Sequence, residues 1–164
     1  MSAPRAARPD TDIVVERTFD APRQRVFRFF TEPDKLKRWW APAGGSTPHC
    51  TVDLRVGGKF HFCMRTADGQ DFWGVGVYRE IVRPERIVYV DSFADENGDL
   101  VAPSRYGMSP QHPAEALVTI TFEEHRGRTK VTLRHEVPAP FAEREGTAQG
   151  WRQMLERLGQ ALTG

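Results

Sequence analysis

The sequence is poor in the features that would take it out of ordinary globular chemistry. Two cysteines in 164 residues, Cys50 and Cys63, are too few for a disulfide framework. No run of about 18 apolar residues occurs, so no segment reads as a membrane-spanning helix. An excess of one charge is also missing: 23 Lys and Arg stand against 22 Asp and Glu. That balance removes the bulk electrostatic attraction for nucleic acid. Gly-x-Ser-x-Gly, a phosphate-cradling glycine loop and a dinucleotide fingerprint are absent, which argues against the hydrolases and nucleotide enzymes those motifs serve. The opening residues, MSAPRAARPDTD, lack the apolar core of a secretory signal, so residues 1–12 are expected to be a flexible leader. Reduced thiols in a cytoplasm follow as the expectation for both cysteines.

What is present is globular. Hydrophobic residues make up 39% and charged residues 27%, and the length fits one domain, expected over residues 13–164. Ile13 to Phe19 is β-branched and predicts a strand. Asp20 and Pro22 then open a helix whose stripe is Val26, Phe27, Phe29 and Phe30, with arginines opposite. Pro33 interrupts it, and a second short helix is expected over Asp34 to Trp40. Strands are expected at Cys50–Val56, Lys59–Thr66, Asp71–Val82, Glu85–Phe93, Ala116–Phe122 and Val131–Val137, with turn signals at Gly57-Gly58, Asp68-Gly69 and Arg126-Gly127. Trp151, Met154, Leu155, Leu158 and Leu162 fall on one face of a closing helix. Between the strands, Ala94 to Pro113 is a long polar segment that reads either as a lid or as a surface excursion. The order predicts an α+β fold: a curved antiparallel sheet of about six strands around a long C-terminal helix, with two short helices after the first strand.

Five segments in this order carry a family resemblance: DAPRQRVFRFFTEPDKLKRWWAP, DLRVGGKF, GVYREIVRPERIVY, VTITFEEHRGRTKVTLRHE and GWRQMLERLGQAL. Together they resemble the START-like, birch-pollen-allergen-like (SRPBCC) superfamily, and within it the branch named after the activator of the heat-shock chaperone ATPase. The resemblance spans roughly Asp12 to Leu162. It implies a helix-grip fold with a deep apolar cavity between sheet and terminal helix, in a superfamily whose members bind hydrophobic small molecules. Chaperone activation belongs to members with an additional domain, which no segment of this sequence supplies. The implied partner is a hydrophobic small molecule of unspecified identity, with no cofactor. A homodimer or a regulated protein partner is the alternative.

Candidate wall residues follow from strand phase. If Gly57-Gly58 is a two-residue turn, Phe60, Phe62 and Met64 share a face with Thr51, Asp53 and Arg55. A bulge at either glycine would instead place them with Val52, Leu54 and Val56. The expected ligand site comprises Trp39, Trp40, Asp53, Phe60, Phe62, Met64, Trp73, Tyr78, Tyr89, Phe93, Trp151, Met154, Leu155 and Leu158. For each of the tryptophans and tyrosines, core packing is the competing reading. A cavity of about 300 Å³ or more is the size this function requires.

Catalysis and metal binding have weaker signals. Asp91 is in phase with Tyr89 and Phe93, where a desolvated carboxylate could act as a base or pair with an arginine. His135 is in phase with Val131 and Leu133, a position more common for a core histidine than for a catalyst. No catalytic residue is assigned, and a cyclase or hydrolase ranks third among the functions. His49, Cys50, His61 and Cys63 invite a zinc hypothesis, yet the two-residue turn puts His49 on the face opposite the other three. No metal site is assigned.

Overall fold

The computed structural model describes residues 12–138 and 140–163. The expected leader, apart from Asp12, lies outside them.

Seven strands form one antiparallel sheet: β1 (Asp12–Phe19), β2 (Ser46–Val52), β3 (Lys59–Arg65), β4 (Asp71–Val82), β5 (Arg86–Phe93), β6 (Glu115–His125) and β7 (Arg128–Glu136). Their spatial order is β1-β7-β6-β5-β4-β3-β2. Helices α1 (Arg23–Thr31) and α2 (Pro33–Leu36) follow the first strand, and α3 (Phe141–Thr163) closes the chain. This is the helix-grip arrangement, and each of its seven strands overlaps one of the segments expected to be a strand. The concave face carries the core, since Val118, Ile120, Phe122, Val131 and Leu133 alternate inward along β6 and β7 and are buried.

Local chemistry explains the boundaries. Helix α1 starts after Pro22, not at an Asp20 cap, because the side chain of Glu124 on β6 accepts the Arg23 N–H at 2.7 Å. The arginines beside the α1 stripe reach across to the end of α3: Arg25 donates to the Leu162 carbonyl and Arg38 to that of Ala161. They satisfy helix carbonyls that have no intrahelical partner. Helix α2 is shorter than expected and ends at Leu36, and a turn carries Trp39 and Trp40 into the core.

The β2–β3 hairpin differs from both sequence-derived registers. Val52 pairs with Phe60 and Cys50 with Phe62, so residues 53–58 form a wide loop in place of a two-residue turn. The glycines are used elsewhere: Gly57 donates to the Tyr78 carbonyl at 2.8 Å and Gly58 accepts the Tyr78 N–H at 3.0 Å. They extend β3 onto β4. The resulting phase puts Phe60, Phe62 and Met64 on the face of Cys50 and Val52, the parity of the bulged alternative. Asp53 is thereby excluded from the concave face; it is exposed and paired with Arg55 at 2.8 Å.

Candidate functional site

Helix α3 covers the sheet unevenly. Leu155 and Leu158 in its C-terminal half are fully buried in a cluster with Phe29, Phe30, Leu36 and Trp39. The Trp39 indole donates to the Phe29 carbonyl at 2.9 Å, which makes it a satisfied core residue. Further toward its N-terminus the helix presents Thr147, Gly150, Trp151 and Met154, an i, i+3, i+4, i+7 row. Two of these four are small, and a cavity of about 230 Å³ opens beneath them. Its walls are Trp40, Pro42, Phe62, Met64, Tyr89, Asp91, His135, Thr147, Gly150, Trp151 and Met154. A Cβ built on Gly150 would meet nothing within 4 Å. A second space of about 140 Å³ adjoins it, sharing Asp91, His135 and Thr147 and extending to Phe93, Met108 and His112. The main cavity is smaller than the expected 300 Å³ because Phe60, Tyr78 and Tyr89 pack against one another and leave only about 10 Å³ near them.

The sheet side of the cavity depends on close backbone approach. Phe62 and Phe60 lie stacked, with ring centroids 5.2 Å apart, across β4 at Gly74 and Gly76. A Cβ on Gly74 would sit 2.5 Å from the Phe62 ring, and one on Gly76 would sit 2.3 Å from the Phe60 ring. Any other residue would lift the rings off the sheet. Trp40 then packs edge-on against Phe60, Phe62 and Trp151, joining both sides of the cavity.

Besides the hydroxyls of Thr147 and Tyr89, a carboxyl and an imidazole enter this largely apolar wall. Asp91 on β5 and His135 on β7 reach toward each other over β6, where Asp91 is paired with the small Ala116. His135 Nε2 and Asp91 Oδ2 are 3.8 Å apart, with the histidine side chain 8% exposed and the aspartate 31%. Burial pushes the Asp91 carboxyl up to about 7. Burial, with a smaller contribution from His112, holds the His135 ring down at about 3, so it is neutral at physiological pH. The Trp151 indole donates to His135 Nδ1 at 3.1 Å.

The expected site residues thus separate into groups. Trp40, Phe62, Met64, Tyr89, Trp151 and Met154 line the main cavity, and Phe93 lines the adjoining one. Trp39, Phe60, Tyr78 and Leu158 are core residues beside it, and Leu155 is buried in the same core. Asp53 and Trp73 lie elsewhere. Trp73 is on the convex face against His49 and His61, because its neighbours Gly74 and Gly76 point inward. That face also corrects the zinc geometry: His49, His61 and Cys63 share it while Cys50 faces inward, since the register is displaced by an odd number of residues. Among the described residues no three of His, Cys, Asp and Glu gather to hold a metal ion. Both cysteines are free and buried.

Asp91 and His135, weighed in the sequence as polar candidates without a catalytic assignment, both line the cavity wall. Pro42, Thr147 and Gly150 carried no apolar signal. For the last two, extending the α3 stripe by one turn toward the N-terminus would have found them. The segment after β5 is divided. Its first part crosses the convex face, where the Asp95 carbonyl lies 2.9 Å from His61 Nε2. Its second part reaches the smaller cavity, where the Ser109 N–H and hydroxyl both donate to Glu143 of α3, at 2.8 and 2.6 Å.

Residues 20–163 match the family described as activator of Hsp90 ATPase homolog 1-like protein. No curated protein matches the chain. Among solved structures, a protein of Chromobacterium violaceum is 29% identical, with a TM-score of 0.75 over 92% of this chain and 95% of that one. A protein of Nitrosomonas europaea is 24% identical, with a TM-score of 0.77 over 96% and 97% of the two chains. The AHSA1 protein of Silicibacter pomeroyi is 21% identical, with a TM-score of 0.74 over 93% and 97%. No helix among the described residues is long and apolar enough to cross a membrane. With a helix-grip fold built around its C-terminal helix and a family match covering nearly all of that fold, the chain belongs to the activator of Hsp90 ATPase homolog 1-like (AHSA1) family of the SRPBCC superfamily.

Proposed function

We propose that the chain, acting as one domain over residues 13–164, binds a hydrophobic small molecule in the cavity between α3 and the sheet. The observation that carries this reading is the wall itself: an apolar, aromatic-lined cleft of about 230 Å³, interrupted only by a few polar groups and extended past the required size of about 300 Å³ by the adjoining space of about 140 Å³. Apolar area for affinity and sparse polar groups for orientation are the usual composition of a small-molecule site. The second part of the segment after β5, clasped to Glu143, serves as a lid over the adjoining space. Two buried free thiols fit a reducing cytoplasm. The test is calorimetric titration with naphthalene against the wild-type protein and a Gly150→Leu variant. Binding by the wild type alone supports the reading, and binding by neither, or equally by both, sinks it.

The family match favours a second reading, a module that regulates a protein partner such as a chaperone ATPase. Such a module would present a contiguous apolar patch. The large exposed hydrophobics among the described residues are Val14, Val56, Val82 and Leu100, which lie on two different strands and in two separate loops. Stimulation of a purified chaperone's ATPase by this chain, unaffected by filling the cavity, would establish the second reading over the first.

A further inference from the structure

The polar pair in the cavity wall is incomplete. Because His135 Nδ1 accepts the Trp151 indole N–H, the neutral ring carries its proton on Nε2. That buried nitrogen has no hydrogen-bond partner among the described residues. Asp91 Oδ2, which faces it, is 3.8 Å away, beyond hydrogen-bond reach. A buried donor left in this condition costs free energy unless something occupies the space in front of it.

One oxygen atom can close the gap. Placed about 2.8 Å from each group, it would stand at the apex of a triangle whose base is the 3.8 Å separation. Above about pH 7, where the Asp91 carboxyl is ionised, that oxygen would have to accept from Nε2–H and donate to the carboxylate. An ether or ketone oxygen only accepts, and an ammonium only donates. A hydroxyl does both.

The rest of the wall describes the body that carries the hydroxyl. A cavity of about 150 Å³ holds benzene, and drug-sized ligands need about 300 Å³ or more. The main cavity of about 230 Å³ lies between them and has room for one or two fused rings, with the adjoining 140 Å³ left for any substituent beyond the hydroxyl. Trp40, Phe62, Tyr89 and Trp151 supply flat apolar surfaces. No Lys or Arg lines the cavity, so a carboxylic acid would be buried without a counter-charge.

The geometry points to a small uncharged phenol or aryl alcohol, whose hydroxyl bridges His135 and Asp91 while its rings stand among Trp40, Phe62, Tyr89 and Trp151. This assignment rests on the cavity reading above and narrows it to a ligand class. It is tested at about pH 8, where the Asp91 carboxyl is ionised, by titrating the wild-type protein with 2-naphthol, 2-methoxynaphthalene and naphthalene. The expected result is 2-naphthol binding at least tenfold more tightly than the other two. In His135→Phe and in Asp91→Leu that preference should fall to twofold or less while naphthalene still binds. A histidine nitrogen spectrum of the wild type gives the same information without a variant: 2-naphthol moves the His135 Nε2 resonance and naphthalene does not. Equal affinity for all three compounds, or an unmoved Nε2 resonance, overturns the hydroxyl assignment and leaves the cavity reading standing. A preference that survives in both variants also overturns it. Failure of all three to bind removes the cavity reading, and this assignment with it.

Discussion

The two halves of α3 make opposite use of the same sheet. Toward the C-terminus, Leu155 and Leu158 are fully buried in one cluster with Phe29, Phe30 and Trp39. Toward the N-terminus, Thr147 and Gly150 leave space, and the sheet opposite supplies Asp91 and His135 rather than more aliphatic side chains. One half resembles the interior of any stable protein. The other carries unfilled volume and an unmet donor, costs that stability alone does not explain. On the proposed function, cohesion falls to one end of the helix and recognition to the other.

Truncating each half should separate those roles most clearly. Leu158→Ala removes a fully buried side chain from a packed site and should cost about 2–5 kcal/mol. Met154→Ala widens an existing cavity and should cost less than half as much. Urea denaturation of the two variants measures the contrast, and equal losses would erase it. Gly76→Ala comes next, because its new methyl would collide with the Phe60 ring on the sheet side. A loss of about 1–3 kcal/mol is expected for such overpacking, read as a lowered thermal midpoint.

Gly150→Ala should run the other way. Its methyl meets open space, and replacing a mid-helix glycine should raise stability by about 1 kcal/mol. Stabilisation accompanied by weaker naphthalene binding would show that the glycine is kept for the cavity.

The smallest effect is a pH slope. The unfolded Asp91 carboxyl titrates near 3.8 and the folded one near 7, so between about pH 4 and 7 the folded state keeps a proton the unfolded state has lost. Stability from this group falls as pH rises through that window. His135 is displaced downward, from 6.5 to about 3, so across that interval the unfolded state holds the extra proton and stability rises with pH. The two slopes oppose each other between about pH 4 and 6.5. His135→Phe should leave a falling profile and Asp91→Asn a rising one, each shallower than about 1.4 kcal/mol per pH unit. Parallel profiles in wild type and both variants would show that the pair does not titrate in this way.

The cohesive half was legible in the sequence because hydrophobic periodicity registers exactly those residues that fill space. Trp151, Met154, Leu155 and Leu158 announced the helix, and the alternation in β6 and β7 announced its platform. The recognition half was less legible, since a cavity depends on side chains that are missing. Thr147 and Gly150 extend the same stripe without adding to its hydrophobicity. Asp91 and His135 lie on strands separated by β6, so only the sheet order brings them within 3.8 Å. The hairpin register was hidden for another reason. Gly57-Gly58 carries a strong turn signal, but the pair is committed to Tyr78 of β4, a tertiary bond with no local signature.

The two glycines of β4 have a consequence for how such a site can diversify. Phe60 with Gly76, and Phe62 with Gly74, are coupled pairs: neither glycine can gain a side chain unless its phenylalanine shrinks or moves in the same step. A side chain added singly at Gly74 or Gly76 is therefore a closed route, while Gly150 on the helix wall accepts added bulk without collision. New ligand preferences in proteins descended from this one should accumulate along α3, against an aromatic floor that stays fixed.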